Sequence, residues 1–520
     1  MQEISAYLKR LLYSPSLPRL HPYQGVIFFI VLLQLFFAFY YSIFFPIDGG
    51  DALTLHAPLA KLYAQAGYLA PAEGILEFYN PLSHGIHLFI SWFYLLNGLN
   101  DLFARLLPPM LFLVSLALVY GLSKRLTDFR TAWFAVLFAT STPLLIAHAQ
   151  VLYLNLPELS FMLAGIFCLF MALKHETPSA YAAAGFLGGF AALVKPSGLI
   201  SFGALALLLL LYFKRSRAST PLLLVLLGAL ASLSPFWFLS TSQAYLDPSY
   251  HFYAFGPKII EPLNMYLFFP FFDAMIAVNQ GFGPFLFTFG LAGACLLYKK
   301  TNGLRFEDRF ALAWLVAIFL LSELFLLKLG ARFAMLLTPV AALFAAYSLN
   351  HLLHDRKSYL RALTVLILVA MILPYTLLGV IGFKSARISY ESNTLIFNLY
   401  LPPPTHEEFL RDSYGPILDG IDYINKETPA GSKVLTNLPL TYLFNRTVYY
   451  TGTIGGIAAQ PNFDAALDYL KENGVYYIVI ADADVADDPY ANNPIQNNLG
   501  NVRLRQLYEN VRVSIYEIRW

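Results

Sequence analysis

The chain has 520 residues, of which 58% are hydrophobic, 16% are aromatic and only 13% are charged. Soluble globular domains carry about 25% charged residues, so this composition excludes a protein that is soluble throughout and predicts a polytopic, mainly α-helical membrane protein. The sequence contains no glycine-rich phosphate loop of nucleotide enzymes and no soluble basic face that would bind nucleic acid. A nucleotide-sugar donor and a nucleic-acid partner are therefore not supported.

Apolar runs recur along residues 26–381, and basic clusters fall at alternate ends of these runs. Because short cytoplasmic loops are enriched in Lys and Arg, this pattern predicts about eleven spans, with the amino terminus in the cytoplasm and the carboxyl terminus outside. The first 24 residues lack a signal-peptide cleavage pattern, so we expect the first span to be retained. The predicted spans are residues 26–45, 104–122, 131–149, 159–173, 181–194, 199–213, 221–239, 285–298, 310–327, 333–349 and 362–381.

A long first outer loop, residues 46–102, follows the first span. Residues 81–98 are apolar enough to pass for a span, but counting them as one would invert every later loop. His84, His87 and Ser91 fall on one helical face there, so we predict an interfacial helix. We treat residues 263–277 in the same way, as a helix on the outer surface.

The first outer loop begins with the most polar stretch of the membrane part. Asp48 and Asp51 flank a glycine pair directly after the first span. The glycines allow a tight turn and a close approach of the backbone to another group. Residues 53–63 then have the spacing of an amphipathic helix at the membrane surface. We interpret this stretch as the reaction centre.

The charge distribution predicts two domains. Residues 384–520 carry 11 Lys and Arg against 16 Asp and Glu, a net charge of −5, and subtraction from the totals of 34 and 32 leaves +7 for residues 1–383. We therefore expect a transmembrane domain over residues 1–383 and an extracytoplasmic domain over residues 384–520. Alternating patterns predict that the second is a soluble α/β domain. They are helices at 415–427 and 462–472, strands at 433–436 and 475–480, and a final hairpin of 503–507 with 511–518.

Five short stretches of the membrane part share a pattern with a known superfamily. They are residues 50–60 (GDALTLHAPLA), 79–82 (YNPL), 154–159 (LNLPEL), 185–198 with its LVKP, and 327–339. In this order, and on one face of the predicted topology, they resemble the GT-C superfamily of membrane glycosyltransferases. The resemblance is to the family 39 group of protein mannosyltransferases and aminoarabinose transferases.

This resemblance implies a GT-C-like fold and a function. The donor would be a polyprenyl-phosphate sugar, and the acceptor a lipid, glycan or protein on the outer face of a membrane, expected to be a prokaryotic cytoplasmic membrane. An acidic residue of the first outer loop is central to catalysis in this family. Many members have two adjacent acids there, whereas this chain has Asp51 with its other acid at Asp48. Tyr79 and Asn80, expected at the substrate site, stand where some members have a lysine.

Inverting transfer needs a base for the acceptor proton and stabilisation of the leaving phosphate. Asp51 is the candidate base, with Asp48 as a further catalytic acid; the alternative for Asp51 is a helix cap. Glu158, after a proline at the outer start of a span, is predicted to be a second catalytic acid that positions the acceptor or a metal. Its alternative role is to stabilise the helix dipole.

Cations at the outer span ends are candidates for binding the phosphate. Lys195, Lys328 and Arg332 have such positions, and a guanidinium can bind phosphate through two hydrogen bonds. The alternative is that these side chains anchor spans by reaching the interface. His251 and Lys258 lie in an aromatic outer loop and are predicted to line the sugar or acceptor cleft, unless that loop is an aromatic belt.

His56 is predicted to contact substrate or, together with Asp51, to bind a metal. Imidazole and carboxylate are ordinary ligands of Zn or Mn, and His84 and His87 could join them. Two histidines three residues apart are also common by chance, so no cofactor is certain and a divalent cation stays an alternative.

Other function classes remain open. A transporter or flippase of a lipid-linked sugar should show paired interrupted helices and charges at mid-membrane, whereas the charges here fall mostly at span ends. An oligosaccharyltransferase relative would be expected to carry a Trp-Trp-Asp signature, which the tail lacks. An inactive GT-C-like scaffold is a further alternative because the acid pair is altered.

Overall fold

The computed structural model describes most of the helices predicted in the membrane part and most of the carboxyl-terminal residues. The described residues are 22–47, 52–67, 84–98, 100–212, 219–239, 284–299, 305–325, 335–354, parts of 365–380, 386–388, 395–397, 402–438, 440–450, 457, 460–481 and 494–520.

Helices α1 to α13 account for most of the described membrane part. They are α1 Pro22–Phe44, α2 Ala57–Ala66, α3 His84–Leu96, α4 Leu102–Leu126, α5 Phe129–Thr140, α6 Pro143–Gln150, α7 Asn155–His175, α8 Pro178–Val194, α9 Leu199–Tyr212, α10 Ser219–Leu239, α11 Pro284–Lys299, α12 Phe306–Phe325 and α13 Thr338–Leu353. A π-helical turn, Ala52–His56, leads directly into α2, and a 3-10 turn, Pro196–Gly198, joins α8 to α9.

The apolar helices make the chain an integral membrane protein. Within the described residues, four helices are long and apolar enough to cross a bilayer: Gln24–Phe44, Leu102–Leu126, Asn155–His175 and Met335–Leu353. The pair α5 and α6 qualifies as a fifth if it is one span. Helices α8, α9 and α10 are also apolar, but their apolar stretches are only 10–17 residues long. The predicted number of about eleven spans is therefore not confirmed, and the predicted 263–277 helix lies outside the described residues.

The predicted span at residues 131–149 is not one continuous helix. Helix α5 ends at Thr140 and α6 begins at Pro143, and the two axes differ by 64°. Proline has no amide hydrogen, and its ring disfavours a helical conformation in the residue before it. The chain therefore bends at this point.

Helix α3 confirms a short helix within residues 81–98, but its polar face is not turned to water. His87 and Ser91 are buried against the protein, while Trp92 and Leu96 are exposed. At about 1.5 Å per residue, its 13 residues span roughly 20 Å, short of the bilayer core. The buried polar residues of α3 therefore serve the interior, and the position of this helix at the membrane interface stays a prediction.

Glycines bring α8 and α10 into close contact. A Cβ atom at Gly185 would overlap the backbone of Val225, and one at Gly228 would overlap the backbone of Ala182. Small residues of this kind let helix backbones approach each other where lipid offers no hydrophobic driving force.

The carboxyl-terminal residues 402–520 form an α/β unit, called here the C-terminal unit. Its elements confirm the predicted alternation and add α14 and β4, which were not predicted. Their bounds are α14 His406–Tyr414, α15 Pro416–Glu427, β3 Lys433–Thr436, β4 Thr447–Tyr450, α16 Phe463–Glu472, β5 Val475–Ala481, β6 Leu504–Glu509 and β7 Val513–Ile518. A small antiparallel pair, β1 Ala386–Ile388 with β2 Leu395–Phe397, precedes the unit.

The sheet of the C-terminal unit has the order β4-β3-β5-β7-β6. Strand β3 pairs in parallel with β4 and β5, whereas β7 is antiparallel to both β5 and β6. Successive strand residues face opposite sides, so Val434 and Val479 pack toward α15 while Leu435 and Ile478 pack toward α16.

The core on the α15 side of the sheet continues into the membrane part. Ala52, Leu53 and Ile86 belong to the same buried apolar cluster as Ile417 and Val434. In addition, the rings of Phe45 and Phe409 meet edge to face, with 5.2 Å between their centroids. The C-terminal unit therefore packs on both chain segments that flank residues 48–51.

Candidate functional site

Arg105 fixes the chain just before the acidic stretch. Its side chain is 6% exposed, and its Nη1 donates to the carbonyls of Ser42, Ile43 and Phe45, at 3.0 and 2.9 Å for the first two. Its Nε donates to Asp101 at 3.0 Å. The last turn of a helix leaves carbonyls without helical partners, and a cation stabilises that end of the dipole. Arg105 therefore holds the end of α1 in place.

The π-helical turn Ala52–His56 fixes the chain just after the acidic stretch. Turns of this kind are rare and often lie at functional sites. Pro58 follows within the first turn of α2, where its missing amide hydrogen is tolerated. The predicted helix after Asp51 is thus confirmed as this turn followed by α2.

His56 and His87 form a buried pair between this turn and α3. Nδ1 of His56 lies 3.0 Å from Nε2 of His87, a hydrogen-bond distance, and His87 is 0% exposed. The ring of Tyr153 contacts His56 edge to face, with centroids 6.4 Å apart. The first outer loop, α3 and the residues before α7 therefore meet around these imidazoles.

Glu158 is a buried carboxylate in the first turn of α7. It is 2% exposed, and its Oε1 accepts a hydrogen bond from Ser197 Oγ at 2.8 Å. The charge of Lys195, which ends α8, lies close enough to act on this carboxylate. Gly198 makes this arrangement possible, because a Cβ there would overlap the backbone of Ala191.

The two groups of polar residues lie in one layer of the molecule. Val194, next to Lys195, and Leu154, one turn before Glu158, belong to the same buried cluster as Ala52. Helix α3 connects them, since Gly85 packs directly on Leu193. The acid and the cation at the ends of α7 and α8 and the two imidazoles at the turn and α3 are thus connected through one apolar core.

Of the predicted site residues, His56, Glu158 and Lys195 are therefore in this layer. Most other predicted site residues lie outside the described part of the chain, so their roles stay predictions. They are Asp48, Asp51, Tyr79, Asn80, His251, Lys258, Lys328 and Arg332. The side chain of His84 is also not described.

The donor set for a cation is incomplete in the described residues. Within them, no group of three His, Cys, Asp or Glu side chains is close enough to share a metal ion. His56 and His87 supply two imidazole rings, and one nitrogen of each takes part in their mutual hydrogen bond. Zinc sites take three or four protein ligands, so these two rings alone do not fit one.

The sequence did not indicate Arg105, Ser197 or Thr441 as residues of the site. Thr441 belongs to the C-terminal unit and contacts Leu53. A signal existed for Arg105, because an arginine one turn inside an apolar helix needs partners and Asp101 stands four residues before it. No comparable signal marks Ser197 and Thr441, since common hydroxyl residues acquire their partners only through the tertiary fold.

A family model matches part of the chain. Residues 84–238 match the model of the dolichyl-phosphate-mannose-protein mannosyltransferase family. This segment runs from α3 to α10 and carries His87, Glu158, Lys195 and Ser197. No curated protein matches the chain at a significant level.

Solved structures share the fold over most of the chain. ArnT from Cupriavidus metallidurans, bound to undecaprenyl phosphate, matches with a TM-score of 0.59 at 14% identity over 95% of this chain and 98% of ArnT. The oligosaccharyltransferase AglB from Archaeoglobus fulgidus, in complex with an inhibitory peptide and a dolichol-phosphate, matches with a TM-score of 0.56 at 14% identity over 88% and 69%. The arabinofuranosyltransferase AftD from Mycobacteria gives 0.55 at 14% identity over 96% of this chain and 42% of its own. The resemblance to the GT-C membrane glycosyltransferases, including their family 39 group, is thereby confirmed, and the chain has their fold.

Proposed function

We propose that the protein transfers a sugar from a polyprenyl-phosphate donor to an acceptor on the extracytoplasmic face, with inversion at the sugar carbon. The observation that carries the proposal is the buried bond from Ser197 to Glu158 near the charge of Lys195, in a part of the fold that one apolar cluster connects to the turn after Asp51. Glycosyl transfer from a phosphate donor needs a carboxylate to act on the acceptor and a cation to stabilise the leaving phosphate. The polyprenyl phosphates in the ArnT and AglB structures support this class of donor.

Asp51 is the base in this proposal. An acceptor hydroxyl oxygen attacks the anomeric carbon from the face opposite the phosphate, and its proton passes to the Asp51 carboxylate. The bond between that carbon and the phosphate oxygen breaks, and polyprenyl phosphate leaves with the electron pair. One attack on the opposite face inverts the configuration. Asp48 remains a candidate for a supporting acid.

Lys195 is proposed to stabilise the leaving phosphate, together with Lys328 and Arg332. Negative charge grows on the phosphate oxygen as the bond breaks, so a cation placed beforehand lowers the barrier. Lys195 has the position for this, at the end of α8 beside the carboxylate of Glu158. Tyr79, Asn80, His251 and Lys258 are proposed to contact the sugar or the acceptor.

Glu158 is proposed to orient the acceptor, and Ser197 to position Glu158. Because Ser197 donates to Oε1, the carboxylate is held in one orientation in a buried site. If a divalent cation takes part, Asp51 and His56 are its proposed ligands, and the ion would supply further positive charge for the phosphate.

The sugar in this proposal is a hexose or pentose, and the acceptor is a lipid, glycan or protein. Purified protein in detergent should be offered a panel of polyprenyl-phosphate sugars with candidate acceptors, and the release of polyprenyl phosphate should be measured. Release from one donor, with an inverted product by NMR, supports the proposal. In proteoliposomes, movement of the intact donor across the bilayer without cleavage would instead identify a flippase.

A further inference from the structure

In the π-helical turn that follows Asp51, the carbonyl of Leu53 cannot form the usual hydrogen bond within the turn. In a π-helix the carbonyl of residue i pairs with the amide of residue i+5. For Leu53 that residue is Pro58, which has no amide hydrogen. Leu53 is fully buried, so its carbonyl needs a hydrogen-bond partner from another part of the protein.

The C-terminal unit supplies that partner. Thr441 lies in the 3-10 turn Thr441–Leu443, and its Oγ1 donates to the Leu53 carbonyl at 3.1 Å. Thr441 is itself 6% exposed, so the bond is shielded from water. The next residue, Tyr442, makes a second contact, with Lys61 Nζ of α2 lying 5.2 Å from its ring centroid.

We propose that Thr441 is a positioning residue for the reaction centre. By holding the Leu53 carbonyl, the C-terminal unit fixes the chain two residues after Asp51, while Arg105 fixes it before Asp48. This inference rests on the proposed function, in which Asp51 is the base. It assigns the C-terminal unit a part in catalysis beyond packing on the membrane part.

The position of a catalytic group affects the rate more strongly than it affects binding. A misplacement of about 1 Å can cost a factor of roughly 100 in rate. Loss of the Thr441 hydroxyl should therefore lower kcat by about tenfold or more and leave KM within about twofold. Because the hydroxyl alone makes the bond, serine at this position should restore most of the rate.

The experiment compares Thr441→Val, Thr441→Ser and Thr428→Val in the full-length protein. Thr428 is the control within the C-terminal unit: it is also 6% exposed, and its hydroxyl donates to Ile424 O at 2.7 Å and accepts from Arg446 Nε at 3.1 Å. Two quantities are measured, namely deuterium exchange of the peptide containing residues 52–56 and kcat for polyprenyl phosphate release. The expected result is faster exchange and lower kcat in Thr441→Val, with neither change in the other two variants.

The inference would be overturned if Thr441→Val showed the same deuterium exchange at residues 52–56 as the wild type. It would also be overturned if Thr441→Val showed faster exchange but an unchanged kcat. Equal effects in Thr428→Val would also overturn it, since general destabilisation of the unit would then explain both. A wild-type protein that releases no polyprenyl phosphate contradicts the proposed function instead. The exchange data would then still decide whether Thr441 holds the turn.

Discussion

Glu158 occupies a position where a carboxylate is costly, at the buried start of an apolar helix, and its neighbours provide compensation. The amide groups of the first turn of α7 favour negative charge, Ser197 donates a hydrogen bond, and Lys195 brings an opposite charge. The prediction that Glu158 stabilises the helix dipole and the prediction that it serves the site are therefore compatible.

The hydroxyl of Ser197 can be tested by itself. Ser197→Ala removes the 2.8 Å bond to Glu158 and frees the carboxylate to rotate. A hydrogen bond contributes about 0.5–1.5 kcal/mol, so we expect kcat/KM for transfer to fall by roughly 2- to 10-fold. Ser115→Ala is the matched control, because it removes a buried 2.8 Å bond to Ser160 and leaves the bond between Ser197 and Glu158 intact. Equal losses in both variants would mean that Ser197 serves only stability.

Arg105 gives a prediction about stability. Arg105→Met leaves three carbonyls and Asp101 without the guanidinium, and breaking a largely buried ion pair costs about 3–5 kcal/mol. We expect the midpoint of thermal unfolding in detergent to fall by several degrees. Lys174→Met, which breaks an exposed ion pair with Glu307, should cost less than about 1 kcal/mol. Similar midpoints for the two variants would show that Arg105 is not a structural anchor.

At the scale of elements, α14 connects the C-terminal unit to the end of α1, and a capping box starts this helix. The backbone amide and hydroxyl of Thr405 both donate to the Glu408 carboxylate at 2.8 Å, and Phe409 follows directly to contact Phe45. These bonds require the ionised carboxylate and lower the pKa of Glu408 below its ordinary value of 4.5.

The capping box predicts a pH dependence for α14. Since the folded-state pKa of Glu408 is lowered, its contribution is present above pH 4.5 and is lost as the pH falls through the folded-state value. Opening of α14, measured by amide exchange corrected for the intrinsic rate, should increase between about pH 6 and about pH 3. Glu408→Gln should reduce this increase, whereas Glu407→Gln on the same helix should preserve it. An identical pH dependence in Glu408→Gln would rule out the capping box as its cause.

Most elements could be predicted where local chemistry determines them. Strand β3 was predicted with its observed bounds, and the start and end of α16 follow from Asn462 and the Asn473-Gly474 pair. Prediction from the sequence did not anticipate the bend within residues 131–149, because hydropathy hides the effect of Pro143. It also missed α14, although Thr405 and Glu408 have the spacing of a capping box.

At the scale of the whole molecule, the site is assembled from contacts between distant parts of the chain. Glu158 meets Ser197 across 39 positions, and Thr441 meets Leu53 across 388. Sequence patterns placed His56, Glu158 and Lys195 in the site through a family resemblance and their positions at span ends. They could not identify the bonds between them, because these depend on how α3, α7, α8 and the C-terminal unit pack.

The central claim, that Asp51 is the base of a polyprenyl-phosphate-dependent transferase, is tested most directly by one comparison. Purified wild type and Asp51→Asn, each shown to be folded by its thermal midpoint, are given the donor found in the panel together with its acceptor. Removal of a general base typically costs a factor of about 10² to 10⁴. We predict a loss of that size in polyprenyl phosphate release. Wild-type release by folded Asp51→Asn would contradict the account.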